Sequence, residues 1–204
     1  MTPLRFYLAR TMRNESALAA LSVPQASLLS PLAGRTVALV GNARALAQGA
    51  HGTAIDAADV VVRINRAPMP DAASHGIRTD WLGLATRLTA EDRARLSPRR
   101  ILWMSPKRKR LDRETALSPS FYLHPLTDYQ ALHDQLGAPP TTGAMLIDLL
   151  LRSDLSRLTL YGFDFFASQS LSGRRTADQV PHDFAAEADW VAALAGADQR
   201  LHLV

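Results

Sequence analysis

Two short apolar runs dominate the hydrophobic pattern. Val37-Ala38-Leu39-Val40 closes on Gly41-Asn42, and a second run from Ile55 through Val60-Val61-Val62 closes on Arg63-Ile64-Asn65-Arg66-Ala67-Pro68. Runs of this length bounded by turn residues predict neighbouring buried strands. Each delivers an asparagine at its carboxyl end, the edge where open α/β sheets bind ligands. An amide offers both a donor and an acceptor, which suits holding a nucleotide. On spacing alone the plainer reading, two core strands followed by loop asparagines, fits better. Gly41-Asn42-Ala43-Arg44 also lacks the second and third glycines of a dinucleotide fingerprint.

The rest of the pattern alternates. Strands are expected at 35–40, 59–64, 79–85, 100–104, 121–123, 157–163 and 200–204. Helices are expected at 43–48, at 89–95 capped by Thr89, after a Thr127 cap until Gly137, at 144–151 and at 183–195. A helix starting just after Asn42 could receive a phosphate on its free N–H groups. In residues 1–33, Leu4, Tyr7, Leu8 and Met12 fall near helical spacing and predict an amphipathic helix packed on the domain edge, then a Pro- and Ser-containing linker. Segments 69–76 and 139–143 read as loops, and polar 167–181 as a mobile one. The alternation predicts an α/β, single-domain, Rossmann-like sandwich: a mainly parallel sheet flanked by helices.

Composition narrows the class. The chain has 204 residues, enough for one domain with a single core, and no uninterrupted apolar stretch long enough to span a bilayer. It has no cysteine, which excludes disulfides, thiolate metal sites and a Cys nucleophile and fits a reducing compartment. Arg5, Arg10 and Arg13 before an apolar run imitate a signal peptide, but Glu15 and Pro24 break the pattern, so cleavage is not expected. The formal charge is +4, with Arg93, Arg95, Arg99, Arg100, Lys107, Arg108, Lys109, Arg110 and Arg113 crowding one segment. That cluster suits a solvated face, an anionic lipid surface or a charged glycan. It lacks the interleaved aromatics of a nucleic-acid stacking platform, and no nucleic acid is expected.

Three segments carry chemistry. The first is Val40-Gly41-Asn42, then Gly52-x-x-Ile55-Asp56-x-x-Asp59-x-Val61-x-Arg63-x-Asn65-x-Ala67-Pro68, extended by His75 to Asp80. The second is Pro140-Thr141-Thr142-Gly143, an apolar stretch, and Leu160-Tyr161-Gly162-Phe163. The third is His182-Asp183-Phe184-Ala185-Ala186-Glu187. In this order they resemble the long, short and very short motifs of the eukaryotic-type sialyltransferases, glycosyltransferase family 29, over most of the chain.

The resemblance implies a GT-A-like variant of the Rossmann-like sandwich, with 34–204 as the CMP-sugar-binding catalytic domain. It implies inverting transfer of sialic acid from CMP-sialic acid to a glycan hydroxyl. No cofactor is expected; the CMP-sugar is a substrate. Metal: none is expected, because the leaving group carries one phosphate and the sequence has no Asp-x-Asp. By carry-over His182 is the catalytic base, a type of residue whose pKa suits the task, with Glu187 in support, fixing the helix or orienting His182. A helix-capping His beside Pro181 is the plain alternative. Gly41, Asn42, Asn65, Thr141, Thr142, Gly143, Gly162 and Phe163 are the donor-binding set. His75 is a candidate on the acceptor side, and the remaining histidines read as surface or core filler.

The sequence departs from the family pattern in three places. Paired cysteines are missing, a membrane anchor and stem are missing, and no histidine stands between Phe163 and Pro181 where the family's third motif would lie. Arg174 and Arg175 are the obvious cationic replacements as phosphate contacts. The expectation is a catalytic domain standing alone in the cytoplasm, with peripheral contact at the inner face of an anionic membrane, in surface polysaccharide or lipid-linked glycan synthesis. CMP-Kdo is the alternative donor, and a non-catalytic nucleotide- or glycan-binding module of the same fold is the rival from another class.

Overall fold

The computed structural model describes residues 1–165 and 181–204. The two runs that lead the sequence are the central strands. β1 (Thr36–Val40) and β2 (Val60–Ile64) pair in parallel, Val37 opposite Val60 and Val40 opposite Arg63. β3 (Trp81–Leu84), β4 (Arg100–Trp103) and β5 (Tyr122–Leu123) extend the sheet outward, and β6 (Arg157–Tyr161) and β7 (Leu201–Leu203) pair on the other side of β1. The order is β5-β4-β3-β2-β1-β6-β7, with every pair parallel. Parallel strands are buried on both faces, and accordingly Val37 to Val40 and Val61 to Ile64 are buried without a break.

Alternate side chains feed different cores. Val37, Leu39, Val62 and Ile64 face a cluster built with Leu28, Leu132, α9 (Thr142–Leu151) and α10 (Phe184–Ala197). Ala38, Val40 and Val61 face Leu46, Ile55 and Tyr161. Leu82, Leu84 and Trp103 face Phe6, Ala9 and Leu18. The last cluster contains the N-terminal segment, so α1 (Pro3–Thr11) and α2 (Glu15–Ala19) lie on the sheet. The stretch expected as a linker instead carries α2, α3 (Gln25–Leu29) and a 3-10 turn, Ser30–Leu32.

Several local expectations change. The stripe Leu4, Tyr7, Leu8 and Met12 faces outward, and α1 packs through Phe6 and Ala9 instead. The turn after Asn42 is a 3-10 helix, Arg44–Gln48. The second run starts later than its apolar pattern, because Ile55 belongs to α4 (Gly52–Ala57). The expected loop 69–76 contains α5 (Ala72–His75), capped by the Asp71 carboxylate. Thr89 caps α6 (Ala90–Leu96) as expected. A short α7 (Arg113–Ala116) follows the 3-10 turn Arg108–Arg110. Thr127 does not cap α8 (Leu126–Leu136); Pro125 stands at the cap, and Gly137 in the left-handed region ends the helix. His182 is not a helix cap either, since the Asp183 side chain accepts from Ala186 N–H to start α10.

Candidate active site

The chain lays β2 to β5 on one side of β1, then returns to lay β6 and β7 on the other. A reversal of this kind marks the general ligand position of open α/β sheets, here at the carboxyl ends of β1 and β6. Gly41 and Gly162 stand there. Gly41 N–H donates to Tyr161 O at 2.7 Å, and Ala43 N–H to Gly162 O at 3.2 Å. A Cβ on Gly41 would run into the Gly162 carbonyl, and Gly162 itself has φ 68°. Both positions therefore demand glycine, one for approach and one for conformation.

Asn42 and Asn65 meet at the next pair of strand ends. Asn42 Nδ2 donates to Ile64 O at 3.2 Å. Asn65 sits at φ 54°, a region Asn tolerates better than most residues. Its Oδ1 accepts Ala85 N–H at 2.8 Å, which pins the side chain to the end of β3, and among the described residues Nδ2 has no acceptor. Further along the same edge Thr86, Arg87, Lys109 and Arg110 line a hollow of about 340 Å³.

The start of α9 forms the other wall. Thr141 caps it, its Oγ1 accepting Ala144 N–H at 3.1 Å, with Thr142 and Gly143 in the first turn. Phe163 packs between Gly41 and Gly143: a Cβ on either would meet its ring at 3.1 or 2.7 Å. Glu187 reaches back from α10. Its Oε1 accepts Thr141 N–H at 2.6 Å, and its Oε2 is 2.8 Å from Thr141 Oγ1. Burial pushes this carboxyl up to about 7, against the downward pull of the Thr141 bonds. Among the described residues no hydrogen bond joins Glu187 to His182. Its hold is on Thr141, two residues beyond Pro139.

His182 is bound to that same segment. Its Nδ1 lies 2.7 Å from Pro139 O. A carbonyl only accepts, so Nδ1 carries the proton, and in the neutral imidazole Nε2 keeps the lone pair. One loop, 139–143, thus fixes the tautomer of His182, receives Glu187 and starts α9. Of the expected residues, Gly41, Asn42, Asn65, Thr141, Thr142, Gly143, Gly162, Phe163, His182 and Glu187 all lie at strand ends or on the α9 and α10 starts. Arg174 and Arg175 lie outside the described residues.

His75 does not face an acceptor. It is 1% exposed, with Nδ1 2.7 Å from Ser74 Oγ. What the sequence reading passed over is the wiring within the long motif. Arg63, also 1% exposed, donates to Arg78 O and His75 O, both at 2.7 Å. Asp56 accepts the N–H groups of Ile77 and Arg78, and Asp59 accepts Thr36 N–H at 2.8 Å. Asp80 accepts Val61 N–H at 2.9 Å. A cation inside an apolar strand was the available signal: buried Arg groups are retained only where acceptors meet them.

Residues 3–86 match the model described as glycosyltransferase family 29 (sialyltransferase). That stretch, less than half of the chain, is what resembles glycosyltransferase family 29. The match contains the whole β1–β2 motif and the ends of both strands. Two similar solved structures are of a mammalian sialyltransferase, one of them in complex with Gal-beta-1-3GalNAc-ortho-nitrophenol. Each aligns at 18% identity and a TM-score of 0.65, covering 98% of this chain and 84% of the other. At that identity the likeness is one of fold. No curated protein matches the chain. Among the described residues no helix is long and apolar enough to cross a membrane. Both comparisons find sialyltransferases, one over residues 3–86 and one in fold over nearly the whole chain.

Proposed function

We propose that this chain is a family 29 glycosyltransferase that transfers sialic acid from CMP-sialic acid to a glycan hydroxyl, with inversion and without a metal ion. The observation that carries the reading is the His182–Pro139 bond, which in the neutral imidazole keeps the lone pair on Nε2. In the proposed reaction the acceptor oxygen attacks the anomeric carbon as the bond from that carbon to the phosphate oxygen breaks. The hydroxyl proton passes to His182 Nε2, and CMP leaves with the bonding electrons. Asn42, Asn65 Nδ2 and the N–H groups of Thr142 and Gly143 are assigned to phosphate and ribose, and Gly162 with Phe163 to the cytidine. A monophosphate leaving group can be stabilised by such fixed donors, and the sequence carries no Asp-x-Asp. The acceptor is assigned to surface polysaccharide or lipid-linked glycan synthesis in the cytoplasm.

CMP-Kdo is the alternative donor, since it shares the CMP ester, the carboxylate and the quaternary anomeric carbon. A module that binds without turnover has no use for a base held in one tautomer. The test offers CMP-sialic acid and CMP-Kdo separately to the protein with a panel of glycan acceptors, with and without EDTA, and measures CMP release. Acceptor-dependent release from CMP-sialic acid, unchanged by EDTA, is expected. Release from CMP-Kdo alone reassigns the donor. Activity lost to chelation and restored by manganese overturns metal independence. Binding of CMP without release from either sugar leaves the binding module.

A further inference from the structure

The apolar side of α1 points away from the protein. Leu4 is 71% exposed and Met12 76%, with Tyr7 and Leu8 about half exposed beside them. Their spacing of three and four residues puts them on one face, opposite buried Phe6 and Ala9. An isolated exposed leucine needs no explanation, but a helix that shows solvent its apolar stripe does.

The charge carried by α1 and the residue pair just after it has one sign. Arg5 and Arg13 are exposed on and just after α1, and the sequence holds no acidic residue before Glu15. Glu15 is spent: its carboxylate binds the guanidinium of Arg108. That pairing removes Arg108, only 3% exposed, from the basic run as well. Arg93 pairs with Glu114 and Arg95 with Asp92, so they too are committed. What stays exposed, and without a carboxylate partner among the described residues, is Lys107, Lys109 and Arg110. Arg10 joins the two parts: its Nη1 donates to Leu111 O at 3.0 Å, holding α1 beside the 108–110 turn.

We propose that this surface docks the protein on an anionic lipid bilayer, with Leu4, Tyr7, Leu8 and Met12 entering the headgroup boundary and Arg5, Arg13, Lys107, Lys109 and Arg110 meeting lipid phosphates. An amphipathic helix with an apolar face and flanking cations lies in the membrane plane, and binding grows with both terms. A protein partner could cover the stripe, but the exposed charge of α1 itself and of the 107–110 turn is cationic, which favours an anionic surface. The docking is independent of the reaction proposed above.

The experiment is co-sedimentation of the whole protein with vesicles of phosphatidylcholine alone or with about 30% phosphatidylserine, across a salt series. Recovery should require the anionic lipid and fall with salt. Leu8→Glu with Met12→Glu should bind at least about tenfold more weakly. Lys109→Glu with Arg110→Glu should also lose at least about tenfold, since each surface cation contributes about fivefold. Thermal melts check that each variant is folded, and Leu4→Gln, on the well-exposed face, stands in if the double glutamate variant is not. Equal recovery on neutral vesicles, or unaltered recovery of the apolar-face variants, overturns the proposal. So does a dimer, detected by light scattering, that Leu8→Glu with Met12→Glu dissolves while vesicles capture nothing; the face would then belong to a second copy.

Discussion

A carboxyl held up to about 7 by burial makes Glu187 the residue whose protonation matters most to the site. The folded value lies above the ordinary 4.5, so the folded chain binds the proton more tightly than the unfolded chain does. Stability from this group is therefore full below about 4.5 and is lost as pH rises through about 7, at most roughly 3 kcal/mol. Glu187→Gln keeps an acceptor for Thr141 N–H and a polar group for its hydroxyl, yet cannot ionise. Urea titrations at several pH values should show the variant gaining on the wild type between pH 5 and 8; parallel profiles refute the assignment. His124 works in the opposite sense. Burial lowers its imidazole to about 4, so it contributes stability above the ordinary 6.5 that is lost as pH falls through about 4. The difference between wild type and Glu187→Gln cancels that background. His182 has a different signature. As the proposed base, its replacement by alanine should cost ~100- to 10,000-fold in turnover. CMP affinity by calorimetry should hold, because Nε2 is assigned to the acceptor. Near-normal turnover in a folded His182→Ala protein would remove it from the mechanism.

Strand ends place the remaining site residues, and here substitutions can separate scaffold from ligand. Asn65 uses Oδ1 to hold Ala85 N–H and has Nδ2 to offer. Asn65→Asp keeps the first bond, tolerates the left-handed backbone and loses the donor, while adding a charge that repels phosphate. The melt should stay close to wild type while CMP binding weakens by about 1–3 kcal/mol or more; wild-type affinity would make Asn65 purely structural. Gly162→Ala is expected to destabilise by roughly 1–2 kcal/mol, since φ 68° penalises any Cβ and Leu46 crowds the position. The central strands and their asparagines were legible because buried parallel strands read as apolar runs closed by turn residues. Glu187 and Thr141 were legible only as motif members: they are 46 residues apart, and no local period announces that they meet. Helices α4 and α5 escaped notice for a related reason. Each is a short turn held by long-range bonds, Asp56 to Ile77 N–H and Arg63 to His75 O, not by its own periodicity. The α1 stripe misled outright. Periodicity reports that a helix has an apolar face; it does not say whether that face meets the sheet or the solvent.

Across the whole molecule, one ion pair ties the N-terminal helices to the outer sheet. Arg108 donates to Glu15 on α2, to Ser105 O beyond β4 and to His124 O beyond β5. Among the described residues Glu15 is the only carboxylate bonded to this nearly buried guanidinium, and its side chain is 34% exposed. Removing one partner of such a pair costs more than removing both, because the survivor is a desolvated charge with nothing to neutralise it. Glu15→Ala should therefore lose roughly 2–4 kcal/mol in urea unfolding, toward the low end for a partner that is partly exposed. Arg108→Met removes the buried charge and fills part of its volume, so Glu15→Ala in that background should cost well under about 1 kcal/mol. The coupling energy of this cycle measures how far α1 and α2 unfold with the sheet as one unit. A large coupling with a single transition means that the exposed face of α1 is carried on a rigid support. Additive effects, or an early transition confined to the N-terminal segment, would mean that α1 and α2 can leave the sheet while the candidate site at the strand ends stays folded.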